Sequence, residues 1–76
     1  MKTLLDMQPG QKAVVRKVHG EGNLRRRILD MGILRGAELE MIKRAPLGDP
    51  IEVKVRGYDL SLRQSESSLV EVEVLK

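Results

Sequence analysis

The sequence predicts a mainly β fold, a small five-stranded barrel with one short helix between its first two long strands. Two observations support this fold class. Valine-rich or alternating segments recur about every ten residues with glycine or proline between them, a spacing that is typical of small barrels. One segment, residues 20–36, instead has helical spacing between glycines. We expect a single domain over residues 1–76, because a chain of this length buries one modest core.

The first strand is predicted over residues 11–19, which follow the turn signal Gln8-Pro9-Gly10. Its valines favour extended structure, and we expect Arg16 and Lys17 to face outward. The apolar residues among the first ten positions are expected to cover an edge of the core. We therefore expect the first ten residues to pack on the core and residues 11–19 to form a half-buried strand.

The helix is predicted over Leu24–Met31. Asn23 precedes it and is expected to be its N-cap, because an asparagine oxygen accepts a hydrogen bond from a first-turn N–H group. Leu24, Ile28 and Met31 are spaced so that they share one face. Gly32 follows the last periodic residue and is expected to end the helix in the left-handed conformation.

The rest of the chain reads as strands and turns. In order, we predict a strand over 37–45, a proline-rich hairpin tip over 45–50, a strand over 51–55, a turn over 57–59, a short strand over 60–63, a helical turn or loop over 64–68, and a closing strand over 70–74. The clearest of these strands carries Ile51, Val53 and Val55 in strict alternation with charged residues.

Composition excludes several classes of function. The chain has no cysteine, so disulfides and thiolate metal sites are excluded, and a reducing compartment is expected. It has no apolar run long enough to cross a membrane, and its N-terminus lacks the apolar core of a secretory signal. We therefore expect a cytoplasmic protein without membrane insertion. A net charge of +3 leaves several anionic partners open.

No pattern of residues predicts catalysis. His19 is the single histidine, so the serines have no evident base, and alone it is a weak metal ligand. Glycine-rich phosphate-binding motifs are absent. Carboxylate pairs such as Asp59 and Glu66 are expected to be solvated surface groups. The sequence predicts a binding module that is not an enzyme and uses no cofactor, and it identifies no metal-ligand set.

The candidate partner surface combines the start of the helix with the turn that follows it. Three arginines, residues 25–27, occupy the first turn, where the helix dipole disfavours cations. They form either a solvated face or a surface for an anionic partner. Leu34 lies between two turn glycines and either caps the core or contacts a partner. The predicted partner-binding residues, which we call the arginine corner, are Arg25, Arg26, Ile28, Leu34 and Arg35. Among them, Ile28 also fits the core.

Four stretches, which together extend over most of the chain, match the sequence pattern of a known protein family in order and spacing. They are Pro9-Gly10, RRILDMG at 26–32 with Gly36, APLGDPI at 45–51, and RGY at 56–58 continuing through Leu62-Arg63 to Glu66. In these stretches the chain resembles the FeoA family, small cytosolic proteins of ferrous iron uptake in bacteria and archaea. Ser67 stands where that family often has alanine. The resemblance implies an SH3-like barrel and an accessory role beside a FeoB-type transporter, whose cytosolic region is a GTPase.

Alternatives to this adaptor role remain open. One is a basic barrel that binds nucleic acid through Arg16, Lys17, residues 25–27, Lys43 and Arg44, although Tyr58 is the only aromatic residue that a base could stack on. We therefore do not expect nucleic acid to be the partner. Another is metal sensing, because the barrel also resembles the C-terminal domain of iron-dependent repressors of the diphtheria-toxin-repressor type. A third is an arginine that acts as an activating finger on the GTPase.

Overall fold

The computed structural model describes residues 1–75, which form one five-stranded antiparallel sheet. The strands are β1 (Lys12–Val18), β2 (Glu38–Arg44), β3 (Ile51–Val55), β4 (Tyr58–Leu62) and β5 (Val70–Val74), in the spatial order β4-β3-β2-β1-β5. Helix α1 (Gly22–Asp30) connects β1 to β2, and the single turn α2 (Gln64–Ser67) connects β4 to β5. A short 3₁₀ helix, Leu4–Asp6, precedes the sheet. The predicted mainly β fold with one helix between its first two long strands is confirmed.

The predicted barrel is an open one. Within residues 1–75, β4 and β5 are the two edges of the sheet and do not pair with each other. The edge of β5 is partly covered by the N-terminal segment, since the N–H of Val72 donates to the carbonyl of Lys2 at 2.9 Å and Thr3 forms a bridge with Glu71. The outer edge of β4 has no such cover in the described chain.

One core lies on the inner face of the sheet. Its fully buried strand residues include Val15, Met41, Ile51, Val53 and Leu62, which confirms the alternation that the sequence predicted for β3. Leu4 and Met7, which lie in the segment that precedes β1, are also fully buried. Arg44 holds this segment in place, because its guanidinium donates to the carbonyl of Leu5 and, at 2.8 Å, to that of Met7.

Helix α1 begins two residues earlier than predicted. The backbone of Gly22 has a φ of +71°, which glycine adopts without steric cost, so the chain turns into the helix before Asn23. Glu21 is the N-cap and makes no side-chain capping bond; the expected capping by Asn23 is wrong. Leu24 is exposed, Ile28 is fully buried, and Met31 is half-buried against the core, so two of the three residues of the predicted apolar face anchor the helix. The predicted end is confirmed, because Gly32 follows the C-cap with a φ of +91°.

Strand β4 also begins earlier than predicted. Arg56 and Gly57 form the connection from β3, with φ values of +52° and +85°. Positive φ at both central residues favours a two-residue hairpin, which leaves Tyr58 paired directly with Val55. Tyr58 and Asp59 therefore belong to the strand, and the turn predicted over residues 57–59 is displaced toward Arg56.

Candidate partner-binding surface

A shallow basic cleft of about 490 Å³ lies where β1, β5, the first part of α1 and the turn after α1 meet. Its lining combines four cations with one carboxylate and an apolar floor: Arg16, Lys17, Arg25 and Arg35, then Glu71, then Val18 and Leu29. We call this surface the basic cleft. It collects residues from four separate segments of the chain.

A bulge in β1 supplies two of the cations. The register between β1 and β5 shifts between Val15 and Lys17, so that one residue, Arg16, is extra on the β1 side. Neighbouring residues of a regular strand point to opposite faces, whereas a bulge re-aims a side chain. Arg16 and Lys17 are both exposed, as predicted, and both line the basic cleft.

The turn after α1 is hydrogen-bonded to the same part of β1. The N–H of Gly36 donates to the carbonyl of Val15 at 2.8 Å, and the N–H of Val15 donates to the carbonyl of Ala37 at 2.8 Å. The glycine has a φ of +88°, which permits the sharp return of the chain. These bonds place Arg35 beside the bulge of β1.

Arg25 is held from below by the backbone. Its Nε atom donates to the carbonyl of Val18 at 3.1 Å, a bond that joins the first turn of α1 to the end of β1. Its two terminal amino groups make no hydrogen bond with any residue of the part of the chain that the structure describes. The guanidinium is thus oriented while most of its donors remain available.

The charges around the basic cleft do not balance. Arg16 pairs with Glu73, and Glu71 contacts His19 with 2.8 Å between Oε1 and Nε2. Lys17, Arg25 and Arg35 form no salt bridge within residues 1–75. The lining of the cleft therefore carries four cations against one carboxylate, and the cleft is electropositive.

The structure brings part of the arginine corner together. Arg25 and Arg35 share the basic cleft, and Arg26 lines an adjoining hollow with Arg25 and Leu29. Leu34 is 40% exposed, so it does not close the core. Ile28 is 0% exposed, and its placement on the contact surface is therefore wrong: the helix face that holds it packs on the sheet, where it supports the surface from beneath.

The contacts of Glu66 were not predicted from the sequence. Glu66, expected to be a solvated surface carboxylate, is 2% exposed, and that expectation is wrong. Its Oε2 atom lies 3.3 Å from Nε of Arg27, and its Oε1 accepts the N–H of Arg63 at 2.9 Å. Glu66 lies three residues after Arg63, the residue that immediately precedes α2. This is the spacing of a capping box, and it is the sequence signal that would have indicated the buried position of Glu66.

Several cations of the alternative nucleic-acid surface are engaged elsewhere. Arg44 binds two backbone carbonyls, Arg27 contacts Glu66, and Lys43 lies 3.8 Å from Glu52. Three of the cations of that predicted surface therefore have partners within the described chain.

Two further observations concern metals and membranes. Residues 1–75 contain no cluster of three or more histidine, aspartate or glutamate side chains placed to hold a metal ion. None of the helices in this part of the chain has the length and apolar character needed to cross a membrane.

Comparison with known proteins identifies related sequences. A family model described as the FeoA domain matches residues 2–74. A curated relative is the Fe(2+) transport protein A/Fe(2+) transporter FeoB fusion protein of Porphyromonas gingivalis, 36% identical over 72 residues that make up 95% of this chain. The chain spans 8% of the length of that fusion protein.

Solved structures share the fold. A FeoA-like protein from Clostridium acetobutylicum is 44% identical with a TM-score of 0.90, covering 100% of this chain and 91% of that one. The zinc complex of Stenotrophomonas maltophilia FeoA, described as a prokaryotic SH3 domain protein, is 31% identical with a TM-score of 0.84 over 96% of this chain and 91% of that one. The latter supports the SH3-like fold that the sequence implied.

A manganese-dependent transcriptional repressor also superposes, with a TM-score of 0.90 over 97% of this chain and 36% of that one. At 18% identity the likeness shows the fold alone. The family model, by contrast, extends over nearly all of this sequence, and the relatives with higher identity carry the same family name. This chain belongs to the FeoA domain family.

Proposed function

We propose that this chain is a non-enzymatic cytosolic accessory protein of ferrous iron transport that binds and modulates the GTPase region of a FeoB-type transporter. One observation carries the proposal: in the Porphyromonas gingivalis relative, the homologous sequence and a FeoB transporter form one polypeptide. Joining two modules in one chain raises the effective concentration of each for the other. Such an arrangement favours modules that act in contact.

The docking surface of this proposal is the exposed part of the arginine corner. Arg25, Arg26 and Arg35 supply cations, and Leu34 supplies an exposed apolar contact beside them. Arginine is enriched in protein interfaces, and a leucine presented on a hydrogen-bonded turn loses little entropy on binding. The hydrogen bonds of Val15 with Gly36 and Ala37 hold that turn before any partner arrives.

Modulation in this proposal occurs through binding and not through chemistry. The single histidine contacts Glu71, and no serine hydroxyl within the described residues is hydrogen-bonded to a histidine or a carboxylate. A bound domain changes the activity of its partner when it binds one conformation more tightly than another. We therefore expect the affinity for the GTPase region to depend on its bound nucleotide.

The direct test is an amide-resolved NMR titration of this protein with the isolated cytosolic region of its transporter. It is recorded without nucleotide, with GDP and with a non-hydrolysable GTP analogue, and duplex DNA is titrated separately. We expect shifts at residues 23–36 that require the transporter region and differ between nucleotides. Shifts with DNA alone would contradict the proposal.

A matched pair of variants locates the contact. The first variant carries Arg25→Glu and Arg26→Glu. The second carries Lys2→Glu and Lys54→Glu, two exposed lysines outside the basic cleft, and has the same net charge. We expect the first to lose binding and any effect on GTP hydrolysis, while the second retains both. Equal losses in the two variants would mean that net charge alone drives association.

A further inference from the structure

We propose that the basic cleft is a binding site for an acidic peptide, an extended segment of a partner protein that presents more than one carboxylate beside an apolar side chain. The inference deepens the proposed function and rests on it for the source of that segment, the cytosolic region of the transporter. The basic cleft shares only Arg25 and Arg35 with the arginine corner. It adds Arg16, Lys17, Val18, Leu29 and Glu71.

The basic cleft carries an excess of positive charge. Lys17, Arg25 and Arg35 line it and form no salt bridge in the described chain. Its one carboxylate, Glu71, lies opposite Lys17 on β5 and contacts His19. Like charges held close together destabilise a fold, and Arg25 is additionally disfavoured by the dipole at the start of α1. Local conflicts of this kind are expected at functional sites, where a ligand relieves them. The ligand that relieves this one is an anion.

The bulge in β1 lies at the basic cleft. A regular strand would direct Arg16 and Lys17 to opposite faces of the sheet, and one of them would then enter the core side. The register shift between Val15 and Lys17 instead gives the cleft both cations. Bulges are over-represented beside binding sites for this reason. The backbone irregularity and the charge excess therefore occur at the same place.

Arg25 is oriented before any ligand binds. Its guanidinium is held by the 3.1 Å bond from its Nε atom to the carbonyl of Val18, and its terminal amino groups make no hydrogen bond within residues 1–75. An arginine fork matches a carboxylate or a phosphate in a bidentate manner, and an orientation fixed beforehand lowers the entropic cost of binding. Arg25 is the residue that we expect to contribute most to affinity.

The composition of the cleft favours a peptide over a phosphate polymer. Glu71 forms part of the wall, and Glu73 lies beside it as the partner of Arg16, so a chain of closely spaced phosphates would meet repulsion. Val18 and Leu29 provide an apolar floor that an aliphatic side chain can cover. No aromatic residue lines the cleft to stack on a base. A peptide whose carboxylates are separated by apolar residues fits a cleft in which cations stand beside a carboxylate and apolar side chains.

The test uses the full chain and a synthetic probe. The probe is a short peptide in which glutamate alternates with leucine and serine, and the matched peptide has glutamine at every glutamate. Binding is followed by amide-resolved NMR. We expect the glutamate peptide to shift the amides around Arg16, Lys17, Arg25, Leu29 and Arg35, and the glutamine peptide to shift none of them. Equal shifts with both peptides would overturn the proposal.

Three variants assign the interaction. Arg25→Gln and Arg35→Gln each remove one cleft cation, and Lys54→Gln removes an exposed cation from β3, outside the cleft. We expect both cleft variants to weaken binding of the glutamate peptide, with the larger loss, about fivefold, for Arg25→Gln, because one partly exposed ion pair contributes at most about that much. Lys54→Gln is expected to leave affinity unchanged. The NMR spectrum of each variant verifies its fold. Because Arg35 lies on an exposed turn, Arg35→Gln is less prone than Arg25→Gln to disturb folding.

Competing anions complete the experiment. Inorganic phosphate, duplex DNA and vesicles that contain phosphatidylserine are titrated in parallel. Tighter binding of any of these than of the glutamate peptide would overturn the choice of an acidic peptide. If the transporter region binds and the glutamate peptide does not, this inference fails while the proposed function stands. If the peptide binds in the cleft and the transporter region does not, the cleft assignment stands and the proposed function fails.

Discussion

Arg27 contacts Glu66 across the interface of the two helices, with 3.3 Å between Nε and Oε2 and side-chain exposures of 65% and 3%. The second oxygen of Glu66 accepts the N–H of Arg63 at 2.9 Å, so the carboxylate links α1 to the start of α2. A buried carboxylate is stabilised by such bonds and is costly without them. Glu66 thereby fixes the position of the helix that carries Arg25 and Arg26.

Replacing Glu66 by alanine should lower the free energy of unfolding by about 2 kcal/mol, because the N–H of Arg63 loses its acceptor and a void opens. Glu66→Gln should cost less, since an amide oxygen still accepts that bond. Urea denaturation measures both. The control is Glu73→Ala, which removes an exposed partner of Arg16 and should cost less than about 1 kcal/mol. Equal effects of Glu66→Ala and Glu73→Ala would contradict the role of Glu66.

Ser67→Ala should raise the free energy of unfolding by about 1 kcal/mol. The Oγ atom of Ser67 is buried and has no hydrogen-bond partner in the described structure, so its desolvation is uncompensated. The matched control is Ser68→Ala, because Oγ of Ser68 donates to the carbonyl of Ser65 at 3.0 Å in an exposed position. A loss of stability on Ser67→Ala would show that the hydroxyl is satisfied in solution.

Ile28→Ala and Leu34→Ala should separate folding from partner binding. Ile28 is fully buried, and its truncation should cost about 3 kcal/mol through lost packing and a residual cavity. Leu34 is 40% exposed, so its truncation should change stability by less than about 1 kcal/mol. Leu34→Ala should nevertheless weaken binding of the transporter region. Denaturation and binding are measured on the same preparations, and a Leu34 variant that binds normally would remove this residue from the docking surface.

Lys17→Gln should raise the thermal midpoint at low ionic strength, because it relieves repulsion among the cations of the basic cleft. The gain should fade in high salt, which screens exposed charges. Lys54→Gln should act in the opposite direction, since Lys54 lies opposite two carboxylates, Glu40 and Asp59, on the neighbouring strands. Lys17 lies opposite Glu71 alone and shares the basic cleft with three arginines. Thermal unfolding at two salt concentrations measures both. A lower midpoint for Lys17→Gln at low salt would contradict the charge imbalance.

Local features of the sequence predicted most of the fold. Alternation placed Ile51, Val53 and Val55 in the core, and the prolines of residues 45–50 marked the hairpin between β2 and β3. Gly32 marked the end of α1 because a positive φ favours glycine wherever a helix must stop. The start of α1 was predicted wrongly because two residues, Gly22 and Asn23, both carry signals for a helix start. The positive φ of Gly22 places the first helical residue there, so Asn23 lies inside the helix and is not its N-cap.

By itself, the sequence determined the fold class, the family and the residues that carry the charges, since these depend on spacing along the chain and on residue type. Tertiary structure decided which of those charges meet. The basic cleft joins Arg16, Arg25, Arg35 and Glu71 from separate segments, and a bulge supplies its second strand cation. Burial likewise made Glu66 a link between helices and Ile28 a core residue. Local spacing indicated that Ile28 fits the core and could have indicated the bond between Glu66 and Arg63. The meeting of the cleft charges and the contact of Glu66 with Arg27 depend instead on packing between distant parts of the chain.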